Sequence, residues 1–119
     1  MSSGFMIGIL AIYNLLKEKK YTILSIIDAK TMVKNNSEEK NYFKIILDVR
    51  SKEEYNKGHY IGAINIPYDT IMEDKVKDLE SPILVYCRSG RRAIIAAEKL
   101  YSLGIRKIYV INQSYHKLR

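Results

Sequence analysis

The 119-residue sequence predicts an α/β domain built on a largely parallel sheet. Three observations lead there. From Tyr21 onward, short β-rich runs alternate with helical patterns. Two of those runs, Ile45-Ile46-Leu47 and Ile83-Leu84-Val85-Tyr86, are continuously apolar, as strands covered on both faces are. Most of the helical patterns also carry a start or stop signal of their own.

The elements can be justified in chain order. Ser25-Ile26-Ile27-Asp28 is a capping-box pattern, and Ile26, Ala29, Met32 and Val33 then share one helical face before the polar stretch 35–41. Residues 42–49 hold the first covered strand. Ser51-Lys52-Glu53-Glu54 is a second capping box, opening a short helix that Gly58 is expected to end in a left-handed conformation. Residues 63–66 read as a short strand closed by Pro67. Thr70 to Glu73 repeats the capping pattern, with Ile71, Met72, Val76 and Leu79 as an apolar helical stripe up to the Ser81-Pro82 break. After the strand at 83–86, residues 93–103 form a helix with small residues for close packing, and Gly104 stands at its stop. Residues 108–111 make the last strand.

Composition bounds the function classes. With 47% hydrophobic residues, 6 Gly and 2 Pro, the chain is neither disordered nor collagen-like. A single cysteine, Cys87, excludes a disulfide scaffold and suits a reducing compartment such as the cytoplasm, or a reactive role. His59 and His116 are not at metal-ligand spacing from it, so neither a metal nor another cofactor is expected. The formal charge of +7 comes from scattered lysines without a nucleic-acid-binding signature, and no nucleic-acid partner is expected. Residues 5–16, FMIGILAIYNLL, precede Lys17-Glu18-Lys19-Lys20 and are too short for an ordinary span. Residues 1–20 are therefore expected to be an apolar helix, either packed on the domain at 21–119 or associated with the cytosolic side of a membrane.

Chemistry concentrates where the 83–86 strand turns into the following helix, at Cys87-Arg88-Ser89-Gly90-Arg91-Arg92. Open α/β sheets bind ligands at such strand ends. Backbone N–H groups converging on the loop, the helix amino terminus and three arginines all favour an anion or a thiolate there. Gly90 supplies the backbone freedom of a tight cradle. Free cysteines are more often small buried hydrophobes, but an inert one would not carry three adjacent guanidinium groups.

This loop, together with ILDVRSKEEYNKGHYIGAINIP from Ile46 to Pro67, closely resembles the rhodanese sulfurtransferase domain, over roughly residues 22–111. The resemblance implies a five-stranded parallel sheet flanked by helices on both faces. It also implies that Cys87 accepts a sulfane sulfur as a persulfide, cradled by backbone amides of Arg88 through Arg92. The donor would be a small anion such as thiosulfate or a polysulfide, and the acceptor a thiol, cyanide or a protein. A carrier module with little turnover of its own is the alternative. Phosphatases and arsenate reductases of the same fold use a Cys-x5-Arg loop, whereas Cys87 to Arg92 is Cys-x4-Arg, better sized for sulfur. Arg88 and Arg91 are expected to orient the donor, and Arg92 to hold the loop by hydrogen bonds to backbone or carboxylates. Asp48 is placed to pair with a loop arginine, Arg50 is expected to pair with Glu54, His59 to make a structural hydrogen bond, and His116 to be solvated. Asn112-Gln113-Ser114-Tyr115 stands where the family carries a glycine pair and an aromatic lid, so a shortened cover is expected.

Overall fold

In a computed structural model the described residues are 8–9, 19–36 and 41–118. Five strands, β1 (Thr22–Leu24), β2 (Ile45–Asp48), β3 (Ile64–Asn65), β4 (Ile83–Tyr86) and β5 (Ile108–Ile111), form one sheet in the order β1-β5-β4-β2-β3. Every pairing is parallel. Four α-helices connect them: α1 (Ile26–Lys34), α2 (Lys52–Lys57), α3 (Glu73–Val76) and α4 (Arg91–Ser102). Two 3-10 turns, Tyr68–Thr70 and Tyr115–Leu118, accompany them among the described residues.

The alternation of side chains along β4 divides the core in two. Ile83, Val85 and then Cys87 face a layer containing Ala93, Ala96, Ala97 and Leu100 of α4 with Ile71 and Val76. Leu84 and Tyr86 face the opposite layer, with Ala29 of α1, Phe43, Ala63, Tyr115 and Leu118. The helices thus cover both faces, and β4 is buried along its whole length. Its continuous apolar run is what this position requires.

Local signals held where backbone groups had no competing partner. Ser25 caps α1 by accepting from the Asp28 amide, and Ser51 with Glu54 makes a complete capping box on α2. Gly104 takes a positive φ of 96° just past α4, as its stop position predicts. Elsewhere tertiary geometry prevailed. Gly58 ends α2 with φ 158° and ψ 139°, nearly extended instead of left-handed. The Thr70 hydroxyl donates back to the Pro67 carbonyl at 2.9 Å, so it does not cap the next helix. That helix, α3, is a single turn starting after Met72, which is 52% exposed while Ile71 and Val76 are buried. The first covered strand is narrower than 42–49, because the Lys44 and Ile45 amides both turn to the Pro82 carbonyl. β1 and the last 3-10 turn carry no sequence signal of comparable strength.

Candidate active site

Cys87 follows β4 directly and is fully buried. Its Sγ accepts the Gly90 backbone N–H at 3.0 Å and the Ala93 backbone N–H at 3.3 Å. Both donors belong to the amino-terminal end of α4, so the sulfur lies at the positive end of that helix. The cradle is narrower than the run of amides from Arg88 through Arg92, since only these two N–H groups reach Sγ and one of them lies past Arg92. Gly90 has φ 108°, and a Cβ there would fall 2.5 Å from the Asn112 Cα. A side chain is therefore excluded twice, by conformation and by the close approach of the chain leaving β5.

The arginines of the loop divide by role. Arg88 and Arg91 are exposed, as is Ser89. Arg92 turns inward and pairs with Glu54, Nη1 to Oε1 at 2.7 Å and Nη2 to Oε2 at 3.0 Å. This bidentate pair ties the loop to α2 and realises the expected carboxylate contact of Arg92. Hydrogen bonds from Arg92, added to those from Ser51, hold the Glu54 carboxyl down to about 2, while Glu54 in turn raises Arg92.

Arg50 does not pair with Glu54, contrary to expectation. It lies before the Ser51 cap, off the helix, and folds back on Asp48 two residues earlier, on the same side of an extended backbone. Arg50 Nη2 donates to Asp48 Oδ2 at 2.7 Å and Nε to Oδ1 at 3.0 Å, and the Arg50 amide adds a bond of 2.9 Å to Oδ1. Asp48 accordingly makes no contact with a loop arginine. Its remaining partner is the Tyr86 hydroxyl, which donates to Oδ2 at 2.8 Å and accepts the Tyr60 amide at 3.0 Å. Burial pushes the Tyr86 phenol up, and the bond to Asp48 reinforces the shift. Burial alone would lower Arg50, but the hydrogen bonds and charge of Asp48 leave it above the ordinary arginine value.

A roof closes this network. The Tyr115 ring lies 4.2 Å from Arg50 Cζ, stacks on Tyr86 at 5.2 Å and sends its hydroxyl to the Gly58 carbonyl at 3.2 Å, which also accepts Arg50 Nη2 at 2.6 Å. After β5, the 3-10 turn Tyr115–Leu118 lays its tyrosine over the ion pair. Tyr86 did not stand out in the sequence as part of the site, and Tyr115 did so only as a member of the segment in the lid position. Asn65 completes the frame by donating to the Asp48 and Arg50 carbonyls. His59 bonds the Tyr55 carbonyl through Nδ1 at 2.8 Å and stacks on the Tyr55 ring, the structural contact expected of it. His116 is exposed beside Tyr115. Arg50, Glu54, Lys57, Gly58, Arg88, Tyr115 and His116 border an open cleft of about 320 Å³.

The fold and this strand-end thiol loop define a class. A family model described as the rhodanese-like domain matches residues 28–119, and the chain belongs to that family. It is 34% identical over 86 residues to the adenylyltransferase and sulfurtransferase UBA4 of Meyerozyma guilliermondii, spanning 65% of this chain and only 20% of that protein. It is 39% identical over 61 residues to the thiosulfate sulfurtransferase PspE of Escherichia coli, spanning 49% of this chain and 59% of that one. Among solved structures it matches the BH2092 protein of Bacillus halodurans with a TM-score of 0.68 and 29% identity, over 92% of this chain and 78% of that chain. Its relatives place it in a sulfur-transfer family. Among the described residues no helix is long and apolar enough to cross a membrane, and most of the apolar segment 5–16 lies outside them.

Proposed function

We propose that the domain is a sulfurtransferase, moving a sulfane sulfur from a small anionic donor through a Cys87 persulfide to a thiol acceptor. The observation that carries this reading is the Cys87 sulfur held by two backbone N–H groups at the start of α4. Those two N–H groups hydrogen-bond the sulfur and would stabilise negative charge on it during attack. Cys87 Sγ attacks the outer sulfur of thiosulfate, a new S–S bond forms, the donor S–S bond breaks, and sulfite departs with the electron pair. An acceptor thiolate then attacks the outer sulfur of the persulfide and returns an electron pair to Cys87.

Arg88 and Arg91, the exposed cations of the loop, orient the donor anion. Arg92 acts through Glu54 as a positioning residue, and the Asp48–Arg50 pair fixes the β2 end against which the loop packs. His59, committed to Tyr55, has no part in proton transfer. Because Cys87 is buried, catalysis requires its sulfur to become accessible to donor and acceptor. That burial also supports a second reading, in which a protein partner must open the loop and deliver sulfur, with the domain acting as a carrier. The chemistry suits a reducing compartment such as the cytoplasm.

The test is intact-mass measurement of the full chain and of Cys87→Ser after thiosulfate exposure, with cyanide added to parallel samples and thiocyanate quantified. The expected result is a one-sulfur gain on the wild type alone, discharged by cyanide as thiocyanate. Transfer by a folded Cys87→Ser variant sinks the assignment. A wild type loaded by a protein persulfide but not by thiosulfate selects the carrier reading.

A further inference from the structure

The cleft beside the thiol loop has a charge arrangement that the sulfur chemistry alone does not use. Its anionic member, Glu54, is occupied by Arg92, and its deepest cation, Arg50, is matched by Asp48 and the Gly58 carbonyl. What remains on its walls is cationic or hydrogen-bond donating. Lys57 comes from the end of α2, Arg88 from the residue after Cys87, and His116 from the last 3-10 turn. Neither Lys57 nor Arg88 forms an ion pair among the described residues. Three elements distant in sequence thus bring unmatched groups of one character to a single opening, bordered on one side by the residue next to the nucleophile.

We propose that Lys57 and His116, together with Arg88, form a carboxylate-recognising subsite that selects a small thiol carrying two carboxylates as the sulfur acceptor. The proposal rests on the sulfurtransferase reading above. Arg88 can serve both half-reactions because they are separated in time: the donor anion has left before the acceptor enters. Lys57 and His116 come from α2 and the last 3-10 turn and not from the Cys loop, so a second carboxylate on the acceptor would engage them while the first meets Arg88. A cleft of about 320 Å³ is at the small end of ligand sites and accommodates a molecule of about ten heavy atoms. A neutral thiol would lack the charged contacts that Lys57 and Arg88 offer. In the transfer itself the acceptor loses its thiol proton to solvent and its sulfur bonds the outer persulfide sulfur. The Cys87 Sγ–S bond breaks with its electron pair returning to Sγ, and the acceptor leaves as its own persulfide.

The experiment uses the full chain loaded with thiosulfate and freed of excess donor. Persulfide discharge is followed by intact mass with mercaptosuccinate or with 2-mercaptoethanol, at matched thiolate concentration. The wild type is expected to discharge about tenfold faster to mercaptosuccinate, the equivalent of about 1.4 kcal/mol, with the preference shrinking as salt is added. In Lys57→Ala/His116→Ala the ratio of the two rates is expected to fall to about two or below. Equal rates in the wild type, or a preference that survives the double substitution, overturns the subsite. If the double variant fails to fold, a wild-type preference that is indifferent to salt overturns it equally. Failure of the wild type to load at all counts against the sulfurtransferase reading instead, so the two failures are distinct.

Discussion

Two ion pairs stand close together beside the thiol loop, and they are built on opposite terms. Asp48–Arg50 is sealed, its side chains 0% and 6% exposed under the Tyr115 ring, while Glu54–Arg92 is open to water, at 32% and 22%. The sealed pair has each partner satisfied on several sides, by backbone amide, phenol and carbonyl. Among the described residues no buried side-chain nitrogen or oxygen lacks a partner. A buried pair of this kind gives little net stability but penalises removal of either half. The open pair spans α2 and the Cys loop with two hydrogen bonds and is partly screened by solvent. One pair is a fixed frame for the end of β2; the other is an adjustable tie on the loop.

The sharpest way to break the contrast is Asp48→Ala, which strands the Arg50 guanidinium without its carboxylate. A loss of about 3–5 kcal/mol is expected in urea unfolding, enough to leave little folded protein in a domain of this size. Tyr86→Phe is milder, because it leaves only the Tyr60 amide and one Asp48 lone pair unmet. It should cost about 1–3 kcal/mol by the same measurement, and a neutral result would show that water replaces the phenol.

The smallest effect belongs to the open pair, where Glu54→Gln should cost about 0.5–1 kcal/mol near neutral pH. Its dependence on acid identifies the cause. Glu54 ionises at about 2 in the folded chain against an ordinary 4.5, so its contribution is complete above about 4.5 and is lost as pH falls toward 2. Unfolding midpoints of wild type and Glu54→Gln should therefore converge over that interval. A gap that persists at pH 2 would mean that packing, not charge, is what the substitution removes.

The sequence made the frame legible where a feature is local. The Ser51 capping box and the apolar β4 run each depend on neighbours within a few residues and stand as read, whereas the amides that meet Cys87 are Gly90 and Ala93 and not the whole run from Arg88 through Arg92. The pairing of Arg50 was misread: Ser51 caps the helix, so Arg50 precedes it and does not share a helical face with Glu54. Glu54 and Arg92 lie 38 residues apart, and nothing in either segment announces the other. The same holds for the Tyr115 roof, whose 3-10 turn lacks a cap or an apolar period. Gly90 was legible as a flexible position, but the stronger reason for it, the Asn112 backbone, belongs to a different strand end.

The sheet order carries a consequence for how the protein is made. Among the described residues β5 is the last strand in chain order, it lies between β1 and β4, and it is the only neighbour of β1. A nascent chain therefore carries Thr22–Leu24 without a docking partner until Ile108–Ile111 has left the ribosome. Asn112 against Gly90 and Tyr115 over Arg50 come later still. Pairings this distant in sequence form slowly and leave strand edges uncovered while they wait. Cys87 is thus translated before Ala93 and Val110, which share its buried cluster, and for that interval a side chain that the finished fold buries completely is open to solvent.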